Sequence, residues 1–180
     1  MRVRSQVKAA LERDTGVFIQ LQDVRLWGEE GNTLGDFSSD NLDLHQGYFE
    51  LRKINGSALS VRVGRQEIAL GGQRLIGAVG WAQQARSMDG LRFTLSPEGG
   101  TLDLIAVRLA DATAAAHANN AYLFGGYGKL TRMKGATLDL YALYNRASGG
   151  ADTDQTTLGL RLAGKGASLV YWPRRVLPDR

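Results

Sequence analysis

The sequence of 180 residues has no cysteine, only three prolines and no long apolar run. The absence of cysteine excludes disulfide bonds, and it fits an exported protein as well as a cytosolic one. Without an apolar stretch of about 20 residues, the chain has no candidate transmembrane helix. The first residues, MRVRSQVKAALERD, also lack the apolar segment of a signal peptide, so we expect no leader in this sequence.

The chain is basic, but its charged residues and histidines do not indicate nucleic-acid binding, metal binding or catalysis. The formal net charge is +4 and the sequence pI is about 9.6, which would suit a nucleic-acid-binding protein. Lysine and arginine are spaced singly, however, so we expect no nucleic-acid partner. His45 and His117 have no neighbour at metal-ligand spacing and no convincing serine on a common face. We therefore expect no metal, no cofactor and no enzymatic activity.

An alternation of apolar and polar residues dominates the sequence. It runs through residues 2–9, 45–52, 90–95, 138–145 and 157–162, whereas 101–111 and 121–132 have no clear phase. Such alternation predicts half-buried strands. We expect an all-β, antiparallel up-and-down transmembrane barrel, or part of one, with roughly ten strands in this chain. The barrel part would be residues 1–172, and residues 173–180, with two prolines, an irregular tail.

The connections between these strands are alternately short and long. Short turns are predicted at 13–16, 54–57, 96–100, 133–136 and 163–166, and Asn55-Gly56 is a strong hairpin signal. The longer connections are 28–41, 71–87, 111–120 and 148–154. Outer-membrane barrels have short periplasmic turns and longer extracellular loops. A soluble sandwich has no reason to keep one end tight throughout.

Two strands place charges in their apolar phase just before a long connection. The charged residues are Asp23, Arg25, Arg65 and Glu67. We expect them near the extracellular rim, either above the hydrocarbon or turned into the lumen by a bulge near Gly64. The cost of charge facing lipid favours the lumen. There Arg65 and Glu67 would pair with Asp23 and Arg25, or with basic residues of the 71–87 connection.

Several stretches resemble the alginate-export family of outer-membrane porins. They are FIQLQDVRLWGEE, LDLHQGYFEL, TLGLRL and above all residues 63–90, with GRQE, QRLIG, W and R..DG in order. The resemblance implies a monomeric barrel of roughly eighteen strands that passes anionic polysaccharide, or small anionic solutes, through an arginine-lined pore. The matching positions are Arg65, Glu67, Arg74, Arg86, Asp89 and Arg92.

The chain is short for such a barrel, so we interpret it as an internal part of one in the outer membrane, in contact with its lipid. Val61, Val63, Phe93, Leu95, Leu158, Leu160 and Leu162 would then face away from the barrel axis. Alternation assigns to the lumen Arg2, Arg4, Lys8, Arg52, Arg62, Arg92 and Arg161 against Glu50 and Asp139. Such a basic lumen would favour anions. Trp27, Trp81, Tyr48 and Tyr144 would form interfacial aromatic girdles or core contacts. The alternative is a soluble ligand-binding barrel whose apolar face points inward.

Overall fold

The computed structural model describes residues 2–12, 14–24, 42–82, 84–109, 120–148, 153–164, 167–171 and 174–175. Arg25, Trp27 and His117 lie outside these residues. The strands are β1 (Arg2–Ala10), β2 (Thr15–Val24), β3 (Asp43–Leu51), β4 (Leu59–Gln66), β5 (Met88–Leu95), β6 (Gly100–Arg108), β7 (Asn120–Leu130), β8 (Ala136–Ser148), β9 (Thr153–Gly164), β10 (Ala167–Tyr171) and β11 (Arg174–Arg175). A 3₁₀ turn, Ile54–Gly56, lies between β3 and β4.

All strands belong to one antiparallel sheet. Its order from β1 to β10 is the order of the sequence, and the two residues of β11 pair with β9 beside β10. Within the described residues no pairing joins β1 to β10, so the sheet is open and has the form of part of a barrel. The predicted all-β, up-and-down architecture is confirmed. No helix in the described part of the chain could cross a membrane.

The two ends of the sheet differ as the sequence predicts. Short connections join β1 to β2, β3 to β4, β5 to β6, β7 to β8 and β9 to β10, and we call this the turn end. At the turn between β3 and β4, Asn55 and Gly56 both have positive φ angles, of 53° and 74°, as a tight hairpin turn requires. The opposite end is the loop end, where the connection 67–87 is described except for residue 83.

The two faces of the sheet are chemically different. Residues 67–87, the inner loop, pack against one face, which we call the inner face. The other, outer face exposes a band of large apolar side chains, among them Ile19, Phe49, Val63, Phe93, Leu104, Leu140 and Leu158. Strand register puts Val61, Val63, Phe93, Leu95, Leu158, Leu160 and Leu162 on this face, opposite Arg62, Arg92 and Arg161. The predicted orientation of these strands is confirmed.

The only extensive core among the described residues lies between the inner loop and the sheet. The loop contributes Ile68, Leu70 and Ile76, which are buried against inner-face side chains of β5 to β8. The sheet contributes Met88, Ile105, Val107, Tyr127, Tyr141 and Leu143. Since full burial of one such aliphatic side chain stabilises by about 1.5–3 kcal/mol, the three from the loop hold it firmly on the inner face.

Candidate functional site

The inner loop begins with a partly buried polar contact at Glu67. Its Oε1 accepts hydrogen bonds from His45 Nε2 at 2.6 Å and from Arg4 Nη1 at 3.1 Å. Its backbone N–H donates to Gln46 Oε1 at 3.1 Å. The hydrogen bond from His45, with the charge of Arg4, lowers the pKa of Glu67 against the opposing effect of burial. Glu67 thus points to the inner face, and its described partners are Arg4 on β1 and His45 and Gln46 on β3 rather than residues of the 71–87 connection.

A bulge in β3 positions His45 for this contact. Gln46 pairs with Gln20 and Leu44 pairs with Leu21, so His45 is the extra residue. Its side chain is buried, and its Nδ1 lies 3.2 Å from Ser87 Oγ, which also donates to the His45 carbonyl oxygen. The beginning and end of the inner loop therefore meet at His45. From the sequence we expected a bulge near Gly64 instead, and we assigned no function to His45.

Two further side chains hold the end of the inner loop. Arg2 Nη1 donates to the carbonyl oxygen of Ala82 at 3.0 Å and lies 3.5 Å from that of Gly80. Gln22 Nε2 donates to the carbonyl oxygen of Gln84 at 2.8 Å. The backbone bends sharply here, because Val79 and Ala85 have φ angles of 49° and 56°. Such angles are unfavourable for non-glycine residues, so these contacts fix a strained segment.

The middle of the inner loop rests on an ion pair of the sheet. Tyr127 Oη and Arg161 Nη1 each donate to Asp139 Oδ2 at 2.8 Å, and the Asp139 side chain is 1% exposed. Gly71, with φ +55°, passes directly over this group. A Cβ atom there would overlap the Tyr127 hydroxyl and lie 3.3 Å from Asp139 Oδ2. Only glycine allows this approach.

The arginines in the strands of the inner face, which we call the wall, form ion pairs with carboxylates. Arg62 Nη2 lies 2.7 Å from Glu50 Oε1, and Arg92 Nε lies 2.8 Å from Asp103 Oδ1. Arg52 Nε is 3.7 Å from the second oxygen of Glu50, and Arg161 pairs with Asp139 as described. The sequence missed Asp103, because the phase of its strand was unclear. The wall is therefore less basic than the alternation predicted.

Arg65 does not point into the lumen, which corrects the expectation from the sequence. It remains in the outer-face phase of Val63, since no register shift occurs in β4. Its Nε and Nη2 bind Asp89 Oδ1 and Oδ2 at 2.8 and 2.9 Å, and Asp43 lies 3.9 Å from Nη1. Its described partners are thus Asp89 and Asp43. Asp23 also keeps the outer phase, opposite Val3, and Arg25 lies outside the described residues.

The aromatic residues also differ from expectation. Tyr48 lies on the inner face, stacked on Phe18 with a ring separation of 5.1 Å and covered by the Arg62 guanidinium at 4.2 Å. Tyr144 stacks on Phe124 on the outer face near the loop end, as a girdle residue would. Trp81 lies on the inner loop and is 89% exposed, so it belongs neither to the outer face nor to the core.

The exposed side of the inner loop borders an open concavity of about 650 Å³. Arg74, Leu75, Trp81 and Arg86 line it, and all four are exposed. Among the residues that the structure describes, the Arg86 side chain has no hydrogen-bond or ion-pair partner. The loop thus presents cationic and aromatic groups to this concavity, and Arg74 also borders a small space over Tyr127, Tyr141 and Arg161.

A sequence model described as "Alginate export" matches residues 2–175, nearly the whole chain. No curated protein matches.

Proposed function

The chain belongs to the alginate export family, a family of outer-membrane polysaccharide transporters, and we propose that it forms a channel for carboxylated polysaccharide, narrowed by the inner loop. The observation that carries the proposal is a loop fixed to the inner face at both ends with Arg74 and Arg86 on its exposed side. A solute that follows the inner face must pass these two guanidinium groups.

The electrostatics of the site favour the loop over the wall as the source of anion selectivity. The described wall arginines Arg62, Arg92 and Arg161 each face a carboxylate at 2.7–2.8 Å. A matched pair has little field at a distance, whereas a single exposed charge attracts counter-ions. Arg86 can also bind a carboxylate through two parallel hydrogen bonds, which a lysine cannot do.

The outer face supports a lipid environment. Val63, Phe93 and Leu158 are between 40% and 53% exposed there, while the pairs of Arg62, Arg92 and Arg161 with carboxylates lie on the opposite face. This arrangement fits a barrel wall with lipid outside and a polar lumen. It is the reverse of the soluble ligand-binding barrel, whose apolar face would point inward. A monomer that stays in solution without detergent would favour that alternative.

The proposal is tested by conductance of the full chain in planar bilayers. Reversal potentials in a KCl gradient should show anion preference in the wild type. Arg86→Gln should lower the anion-to-cation permeability ratio roughly two- to fivefold, as expected for the loss of one partly screened charge. Lys134→Gln, in the turn between β7 and β8, removes the same charge at the turn end and should leave the ratio unchanged. Equal effects of the two substitutions would refute a selective role for the loop.

A further inference from the structure

The exposed indole of Trp81 needs an explanation that the channel wall does not supply. The side chain is 89% exposed, although the loop around it is compact and its neighbours are held by Arg2. Burial of a large apolar side chain stabilises by about 1.5–3 kcal/mol, and the loop forgoes this contribution at Trp81. Tryptophan is enriched at binding interfaces, because its ring buries a large apolar area against a partner while its N–H stays free to donate a hydrogen bond.

A second observation places a charge on the same concavity as this indole. The backbone N–H of Arg86 donates to the Ala78 carbonyl oxygen at 2.7 Å, and that of Ala82 to Val79 at 3.0 Å. These two bonds close the turn so that Trp81 and Arg86 line the same concavity. The turn requires the strained φ angles of Val79 and Ala85, and strain of this kind persists where the surrounding contacts impose it, often at binding sites.

We propose that Trp81 and Arg86 form a subsite for one carboxylated pyranose ring. The indole packs against the C–H groups on one face of the ring, and the Arg86 guanidinium binds the ring carboxylate through two hydrogen bonds. The inference rests on the proposed channel for carboxylated polysaccharide. It adds a separate requirement for a sugar ring, because any anion attracts Arg86 but only a ring with an apolar face packs on Trp81.

The test is calorimetric binding to the full chain in detergent micelles. A uronic-acid tetramer is compared with a neutral glucose tetramer. Trp81→Ala should weaken binding of the uronic-acid tetramer about tenfold, and Trp81→Phe should restore most of the affinity because a flat ring remains. Arg86→Gln should reduce the affinity for the uronic-acid tetramer to that for the neutral one. Met133→Ala removes an exposed apolar side chain at the turn end and should change the affinity for neither tetramer.

Unchanged uronic-acid affinity in Trp81→Ala would overturn the subsite, as would an equal loss in Met133→Ala. Both outcomes are distinct from failure of the proposed channel, which is measured with KCl alone. Trp81→Ala should keep the wild-type reversal potential, since the substitution changes no charge. Loss of small-ion selectivity in this variant would show that Trp81 supports the loop rather than binding sugar.

Discussion

Gly71→Ala should loosen the inner loop without unfolding the sheet. The new methyl group meets the Tyr127 hydroxyl and lies 3.0 Å from Tyr127 Cζ, so either the phenol or the loop must move. Alanine at φ +55° costs about 1 kcal/mol, and losing the buried Tyr127–Asp139 hydrogen bond costs about 1–3 kcal/mol, which gives roughly 2–4 kcal/mol together. Burial of Ile68, Leu70 and Ile76 contributes more than this, so the loop stays docked but opens more often.

Hydrogen exchange of the full chain in micelles measures this opening. The Leu70 amide bonds to the Ile76 carbonyl oxygen at 3.1 Å, so it reports on the docked loop. A cost of 2–4 kcal/mol corresponds to exchange about 30- to 1000-fold faster. Gly80→Ala is the matched control, because a Cβ at Gly80 meets nothing within 4 Å. In Gly80→Ala the Leu70 amide should exchange at the wild-type rate.

A second substitution tests the cause of the effect. Tyr127→Phe removes the hydroxyl that collides with the new methyl group. Gly71→Ala combined with Tyr127→Phe should therefore be less disturbed than the sum of the single variants. Wild-type protection of Leu70 in Gly71→Ala would refute the close approach that we describe. Strict additivity in the double variant would instead place the cost in the backbone alone.

Two further predictions concern the charged residues around β4. Glu67 has a lowered pKa, so its anchoring is complete above the usual carboxyl pKa of 4.5 and is lost as the pH falls through the lowered value. Exchange of the inner loop should accelerate over that acidic range in the wild type but not in Glu67→Gln, whose loop should already be looser by about 1 kcal/mol at neutral pH. Arg65→Ala should cost less than about 1 kcal/mol in denaturant unfolding, because the Arg65–Asp89 pair is partly exposed. Arg65→Ala should leave anion selectivity unchanged. A reduced selectivity would indicate that Arg65 lies in the lumen after all.

The sequence predicted strands well where the two faces of the sheet differ in polarity. In β9 the inner residues Thr157, Gly159 and Arg161 are polar or small and the outer residues Leu158, Leu160 and Leu162 are apolar, so the phase was readable. In β6 and β7 it was not, because Ile105, Val107 and Leu123 on the inner face lie beneath the inner loop. A long connection that folds back onto a sheet removes the alternation from the strands it covers. The missing alternation in β6 and β7 thus indicated that the inner loop covers these strands.

The charge at Arg65 was misplaced for a related reason. A cost argument shows that charge avoids lipid, but it does not show whether the charged side chain turns inward or stays on the outer face beyond the apolar band. The structure takes the second course for Arg65, which binds Asp89 beyond the last apolar pair, Val63 and Leu91. It takes the first for Glu67, because β4 ends at Gln66 and the chain leaves the ladder. Two charges in one phase thus lie on different faces.

The described charges of the inner face therefore divide into two groups with different tasks. Asp139 is almost fully buried and receives Tyr127 and Arg161, and Gly71 passes over that group. A carboxylate so enclosed cannot meet a solute, and removal of one partner would leave a buried charge unpaired, so its task is to support the loop. Arg86 is exposed and can give its full hydrogen-bonding capacity to a ligand. A count of arginines per strand does not distinguish these two groups. Anion selectivity should depend on the arginines whose charge no carboxylate of the wall neutralises.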